Sequence, residues 1–372
     1  MVAPPWYEVP PLGYGGVEVI AGALVDALVT RGHDVTLFGA GARTGTSASR
    51  FVATDPKLQF ARLGQLLPAL VHTARVNKLL AEGEYDVVHD HTTDGPATAG
   101  TRRAPTVVTV HGDVLSEHGD YLEALGDNVR LVAISRSQRS LRPQLNWVAT
   151  VHNALPYTEP PEVHERHTGP VLWLARFSPD KGPDIAIQAC REAGMPLVLA
   201  GKSSEPVEAK YLEEEIRPML KGRDDVELVV DADRTTTQKL VQEARCLIMP
   251  IRWHEPFGMV MIEAMAVGTP VVALSKGAVP ELVRDGLTGW VRGRAEDLAA
   301  ALHRVDEIDP ADCIAHVQAN FSAPLMARRY ERVYLEALDS AMIPGRRRRL
   351  VDTRPQPVPV LRRPERRMPY VR

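Results

Sequence analysis

Two glutamates eight residues apart, Glu255 and Glu263 in RWHEPFGMVMIEAMAVGTPVVAL, carry the strongest chemical signal in the chain. Pro256 suits a first helical position, and Met261, Ile262, Met265 and Ala266 supply a buried stripe ending at Gly268, which predicts a helix with Glu255 at its entrance. Eight helical residues separate the carboxylates by roughly 12 Å along the axis. They cannot share one proton, and the gap exceeds the roughly 6.5–9.5 Å of an inverting glycosidase pair. The spacing suits holding two ends of an elongated ligand: one carboxylate on sugar hydroxyls, one on ribose hydroxyls, with diphosphate at the amides between. Taken alone, such a pair is equally what two surface glutamates look like.

VLWLARFSPDKGPDIAIQAC places Arg176 at the carboxyl end of a strand and Lys181 at the entrance of a helix. A guanidinium grips phosphate oxygens through a fork, and an ammonium adds a mobile point charge. Together they suit a departing diphosphate; the plain alternative is ion pairing of Lys181 with Asp180 or Asp184. TVVTVHGDV ends a strand with His111, either a ligand contact at a cleft rim or a hydrogen-bonded structural histidine.

Gly13, Gly15 and Gly16 form a G-x-G-G loop ahead of an apolar stripe of Val17, Ala21, Leu24, Val25 and Leu28. Amides at that helix start present positive dipole to an anion, although a glycine turn serving chain geometry reads the same way. The spacing is not G-x-G-x-x-G, and no acidic residue closes the following strand, so a nicotinamide cofactor is disfavoured. Asp231 and Asp233 (DAD) and His89 and His91 (HDH) invite a metal reading. The histidines lack a third spaced ligand and the aspartates sit in the wrong sheet context, so no metal is expected. There is no GxSxG elbow or Walker loop.

Short apolar runs alternating with amphipathic stretches must position these groups, the pattern of parallel α/β sheets. DVTLF, DVVH, TVVTV, LVAI and WVATV form one series; VLWLA, LVLAG, VELVV, LIMPI and PVVAL form another. The Pro-rich NALPYTEPPEVHERHTGP between them reads as a linker. The expected architecture is two doubly wound domains, 1–160 and 165–321, with ligands in the cleft between them, then a helix over about 322–342 and a tail from 344 to 372. Only Met1, Val2 and Ala3 precede Pro4, fewer than the roughly five residues of a strand, so the chain is expected to begin a few residues late.

The chain has 372 residues, and no apolar run approaches the roughly 18 residues that span a bilayer. The tail holds ten arginines against Asp352 and Glu365, a charge of +8, which leaves −11 on residues 1–343 of a chain whose net charge is −3. So acidic a body argues against nucleic acid as a partner. The Arg/Pro-rich tail reads as disordered, either solubilising or touching anionic lipid weakly. Cys190, Cys246 and Cys313 lack CxxC spacing, and no basic n-region follows Met1, so the expected location is cytoplasmic, membrane-peripheral if the tail binds lipid.

From Pro4 to about Met342 the chain resembles the family 4 retaining glycosyltransferases of the GT-B fold, through the YGG loop, VHGD, LARFSPDKG, VLAGK and EPFGMVMIEAMAVGTPVVA in family order. The resemblance implies a hexose moved from a UDP- or GDP-linked sugar to an acceptor hydroxyl with retention, no metal and no cofactor beyond the donor. It implies Glu255 and Glu263 on donor sugar and ribose, Arg176 and Lys181 on the diphosphate, and His111 on the transferred sugar. Gly15 and Gly16 approach phosphate or acceptor, and Gly201 and the amides of Phe257, Gly258, Met259 and Val260 line the donor. The last helix is expected to return to the first domain. The acceptor is unknown: glycan, lipid or small metabolite. Rival readings are a nucleotide-sugar 2-epimerase on this fold and a catalytically silent sugar-binding scaffold.

Overall fold

Residues 1–13, 15–156, 168–203 and 205–342 are described by a computed structural model. The tail 344–372 and most of the expected linker lie outside the described residues. Among the described residues there are twelve strands, all paired in parallel: β1 (Thr36–Ala40), β2 (Arg50–Asp55), β3 (Val88–Asp90), β4 (Thr106–Val110), β5 (Val129–Ala133) and β6 (Trp147–Thr150) in the first half, then β7 (Val171–Arg176), β8 (Leu197–Lys202), β9 (Val226–Val230), β10 (Cys246–Met249), β11 (Val271–Leu274) and β12 (Gly289–Arg292). The helices that matter below are α1 (Gly16–Thr30), α2 (Leu66–Glu82), α3 (Arg136–Leu141), α4 (Pro183–Ala193), α5 (Arg234–Glu243), α6 (Met259–Ala266), α7 (Val279–Leu282) and α8 (Ala323–Met342). The fold is a two-domain α/β arrangement.

The second sheet runs β12-β11-β10-β7-β8-β9. Chain order therefore reverses between β7 and β10, and the crevice beyond their carboxyl ends is where doubly wound sheets bind ligands. The central strands are legible as apolar runs because both faces are covered: β10 and β11 are buried throughout.

In the first half β1 and β2 pair apart from the sheet β3-β4-β5-β6. Val2 bridges the two, parallel to both Phe38 and Asp90. Val2 N–H donates to His89 O at 2.8 Å, Ala3 N–H to Phe38 O at 3.0 Å, and Phe38 and His91 N–H return to Met1 O and Val2 O. The strand that the sequence seemed to lack is thus represented by three residues. With them the order is β2-β1-(Met1–Ala3)-β3-β4-β5-β6, and the reversal falls beside His91.

Helix α8 packs its buried Met326, Ala327, Tyr330 and Val333 into one core with Leu24 and Leu28 of α1. Glu331 joins it to Arg31 at 2.6 Å and His33 at 2.9 Å. The chain crosses back where Leu155 N–H donates to Phe321 O at 3.0 Å.

Candidate active site

Arg176 closes β7, and Lys181 lies in the single 3-10 turn Pro179–Lys181 before α4. That turn is fixed from outside: Arg252 donates to Pro179 O at 2.7 Å and pairs with Asp184, and Trp173 Nε1–H donates to Lys181 O at 3.1 Å. Lys181 Nζ then meets Glu255 Oε2 at 2.5 Å and sits 4.5 Å from the Trp253 ring centroid. Trp253 Nε1–H donates to the same carboxylate oxygen at 3.0 Å. The expected alternative partners are secondary, since Asp180 is 4.0 Å from Lys181 and Asp184 is taken by Arg252. Arg176 pairs with the buried Glu208 at 3.1 Å. Two cations thus stand at the β7/β10 reversal, each held by a carboxylate that a phosphate group can replace.

Glu255 is not at a helix entrance. Helix α6 begins at Met259, capped by Gly258 with φ 90°, so Pro256 lies outside it and the roughly 12 Å axial spacing does not apply. Tertiary contacts position Glu255 instead. Ala278 N–H donates to Glu255 O at 2.9 Å, and Gly277, at φ 54°, leaves no room for a side chain: a Cβ there would lie 2.3 Å from Glu255 O. Sequence reasoning passed over Gly277. A glycine ahead of a helix is its only sequence signal.

Glu263, on α6, has an exposed side chain; the surrounding protein raises its carboxyl above the usual range, with Arg234 pulling the other way. Arg234 also donates to Pro11 O at 3.3 Å, so the rim of the second domain touches the glycine loop of the first. The Phe257 side chain is buried against His152 and Phe321. The α6 start leaves the first-turn amides of Met259 and Val260 without intrahelical acceptors. Gly201 lies inside β8, where a side chain would come within 2.1 Å of Ala175 O; close strand approach already requires a glycine there.

The first domain supplies a cavity of about 700 Å³ beyond the ends of Met1–Ala3, β3 and β4. Gly15, Gly16 and His111 line it. His111 Nε2 is 2.9 Å from His91 Nδ1, and burial lowers His111 to about 4 and His91 well below its ordinary value. His91 had figured only in the metal reading. The other members of these two motifs are engaged elsewhere: His89 with Tyr334 and Thr109, Asp90 with Arg102, Asp231 with Ser203 N–H at 3.2 Å, and Asp233 as the cap of α5. Glu281 of α7 fastens the domains together, accepting from Arg136 and Ser137 N–H at the start of α3 and from His152. Nothing in the local sequence pattern flagged it.

Residues 163–312 match the family model "Glycosyl transferases group 1" and residues 14–151 match "Glycosyltransferase Family 4". The D-inositol 3-phosphate glycosyltransferase of Corynebacterium aurimucosum is 31% identical over 196 residues, which are 46% of this chain and 44% of that protein. The chain therefore matches less than half the length of this relative. Among solved structures, a glycosyltransferase involved in avilamycin A biosynthesis aligns over 91% of this chain and 97% of its own, with TM-score 0.66 and 21% identity. Anabaena HepE, solved with UDP-glucose, aligns over 88% and 96% with TM-score 0.64 and 19% identity. These likenesses give the GT-B fold.

Proposed function

The chain belongs to glycosyltransferase family 4, and we propose that it transfers a hexose from a UDP- or GDP-linked donor to an acceptor hydroxyl, with retention and without a metal. The observation that carries this reading is the Lys181–Glu255 pair beside Arg176 at the β7/β10 reversal, in a domain whose rim touches the glycine loop. UDP is the first donor nucleotide to test, because HepE was solved with UDP-glucose.

In the proposed reaction Lys181 and Arg176 exchange their carboxylate partners for the donor diphosphate, and Glu255 turns to the sugar hydroxyls. Glu263 takes the ribose. The bond from the anomeric carbon to the phosphate oxygen breaks with its electron pair going to the diphosphate, whose charge the two cations offset. The acceptor oxygen bonds to the same carbon from the same face, and its proton passes to the leaving phosphate oxygen. His111 holds the transferred sugar; no side chain is assigned as general base. The acceptor carries a hydroxyl, and the relative's name, which contains D-inositol 3-phosphate, makes an inositol ring one candidate.

The first-domain cavity favours transfer over a 2-epimerase, which has no acceptor to house. The three cysteines are unpaired and buried, in keeping with a cytoplasmic setting. Among the described residues no helix is long and apolar enough to cross a membrane. Release of nucleotide from UDP-, GDP- and ADP-hexoses, with chelator present, tests the reading when wild type is compared with Glu255→Ala. Release from one donor that the variant lacks supports it, and the anomeric signal of the product reports retention. Equal release from both proteins, or rescue only by added metal, counts against it.

A further inference from the structure

Resting on the transferase reading, we infer that the first-domain cavity receives an uncharged, hydroxyl-rich ring, and that a phosphorylated acceptor is disfavoured there. The first observation is charge. Among the described residues lining the cavity, Glu18 and Asp94 are acidic and none is Lys or Arg. Of the guanidiniums near its rim, Arg75, on an adjoining cavity, donates to Thr54 O at 2.6 Å and Asp55 at 3.1 Å, Arg102 is buried against Asp90, and Arg62 and Arg234 lie outside the lining, bonded to Gln65 at 3.1 Å and Pro11 O at 3.3 Å. The positive end of α1 opens here, but the Glu18 carboxyl in its first turn occupies that end.

The imidazoles do not restore positive charge. His72, His91, His111 and His118 line the cavity, and burial lowers all four, His72 and His111 to about 4. A phosphate dianion would leave water for a wall of neutral and negative groups, which is strongly unfavourable without a compensating cation.

The second observation is unfilled hydrogen bonding. Thr73 Oγ1 is buried on this wall without a partner. The His72 ring beside it is engaged on both sides, by Thr54 Oγ1 at 2.6 Å from Nδ1 and by the Ala3 carbonyl, and so does not fill that need. A neutral ligand hydroxyl, which both donates and accepts, satisfies the Thr73 hydroxyl. Trp6 and Leu66 supply apolar wall for the face of a ring.

The test titrates the full chain, saturated with UDP so that the diphosphate site cannot capture a phosphate, with matched pairs: myo-inositol against myo-inositol 3-phosphate, and glucose against glucose 6-phosphate. The uncharged member of at least one pair is expected to bind about tenfold more tightly or better. Thr73→Val weakens that binding while sparing UDP, and Asp94→Lys narrows the preference. Tighter binding of the phosphorylated members overturns the inference. So does failure of both members of both pairs to bind at millimolar concentration. Binding of UDP and of GDP is read first, and whichever binds is the saturating nucleotide: a chain that binds neither counts against the donor reading, and the pair ratio then decides the present inference on the unliganded protein.

Discussion

Lys181 and Glu255, 74 residues apart in sequence, meet at 2.5 Å across the β7/β10 reversal, with the Trp253 indole touching both. The side chains are 11% and 13% exposed, so the pair is more than a solvated surface contact. In the proposed cycle the two part company, which splits the consequences of removing either. Lys181→Met removes a phosphate ligand and is expected to weaken UDP binding about tenfold and to slow transfer by about a hundredfold. Glu255→Gln releases the ammonium from its partner, so UDP binding should hold or tighten while transfer is lost. Calorimetry with UDP, alongside turnover, checks the split; equal weakening of UDP binding in both variants would rule it out.

The domain latch makes a prediction about pH. Burial by itself would raise the Glu281 carboxyl, but the His152 hydrogen bond and the amides of Arg136 and Ser137 outweigh it and hold Glu281 below the usual carboxylate range. A depressed folded value means that the contribution is present above the unfolded value of 4.5 and is lost as pH falls through the folded one. Glu281→Ala leaves two α3 amides without their acceptor, so a loss of about 1–3 kcal/mol is expected at neutral pH. The variant should also scatter X-rays as a more open particle. Melting and scattering profiles identical to wild type would remove the latch.

Glu18 carries the opposite sign. Burial pushes its carboxyl from 4.5 up to about 7, against a smaller pull from its own backbone N–H. Between those values the folded chain keeps a proton that the unfolded chain has released, so stability present below about 4.5 is lost as pH rises to about 7. Glu18→Gln abolishes this, and its advantage over wild type should grow from pH 5 to pH 8, reaching at most about 3 kcal/mol. Denaturant melts at the two pH values measure the difference; a constant gap would mean that Glu18 titrates normally.

Those predictions rest unevenly on what the sequence discloses. Central strands such as β10 and β11 are readable because burial on both faces leaves continuous apolar runs. β2 escaped notice because RFVATD lies at an edge of the first sheet and is mostly exposed or half-buried, and β12 because GWVR, at an edge of the second, opens on glycine and ends half-buried at an arginine. In the last helix the larger Leu325 and Leu338 are only half-buried, while Met326 and Ala337 fill the core, so side-chain size alone does not pick out its inner face. Pro256 misled as a helix start because proline at that position also suits an extended approach to a cap. Arg176, Lys181 and Glu255 stood out by type and spacing, since charge at strand ends is unusual enough to notice. Gly277, Glu281 and Glu208 did not, because their work is done on partners far away in sequence, where no periodicity reaches.

His91 tests how far such second-tier contacts matter. Its Nε2 lies 3.1 Å from the Met1 thioether, which has no proton to give, so Nε2 carries the hydrogen and Nδ1 is the acceptor. His111 therefore donates Nε2–H to His91 and keeps its own Nδ1 bare, fixed in one tautomer. His91→Phe removes that acceptor and lets the His111 ring turn, so turnover should fall by about tenfold with UDP affinity unchanged. His91→Asn places an amide oxygen where Nδ1 stood and should recover most of the rate. Equal losses in both variants would make His91 a packing residue only, whereas loss in the phenylalanine variant alone identifies it as the group that orients His111.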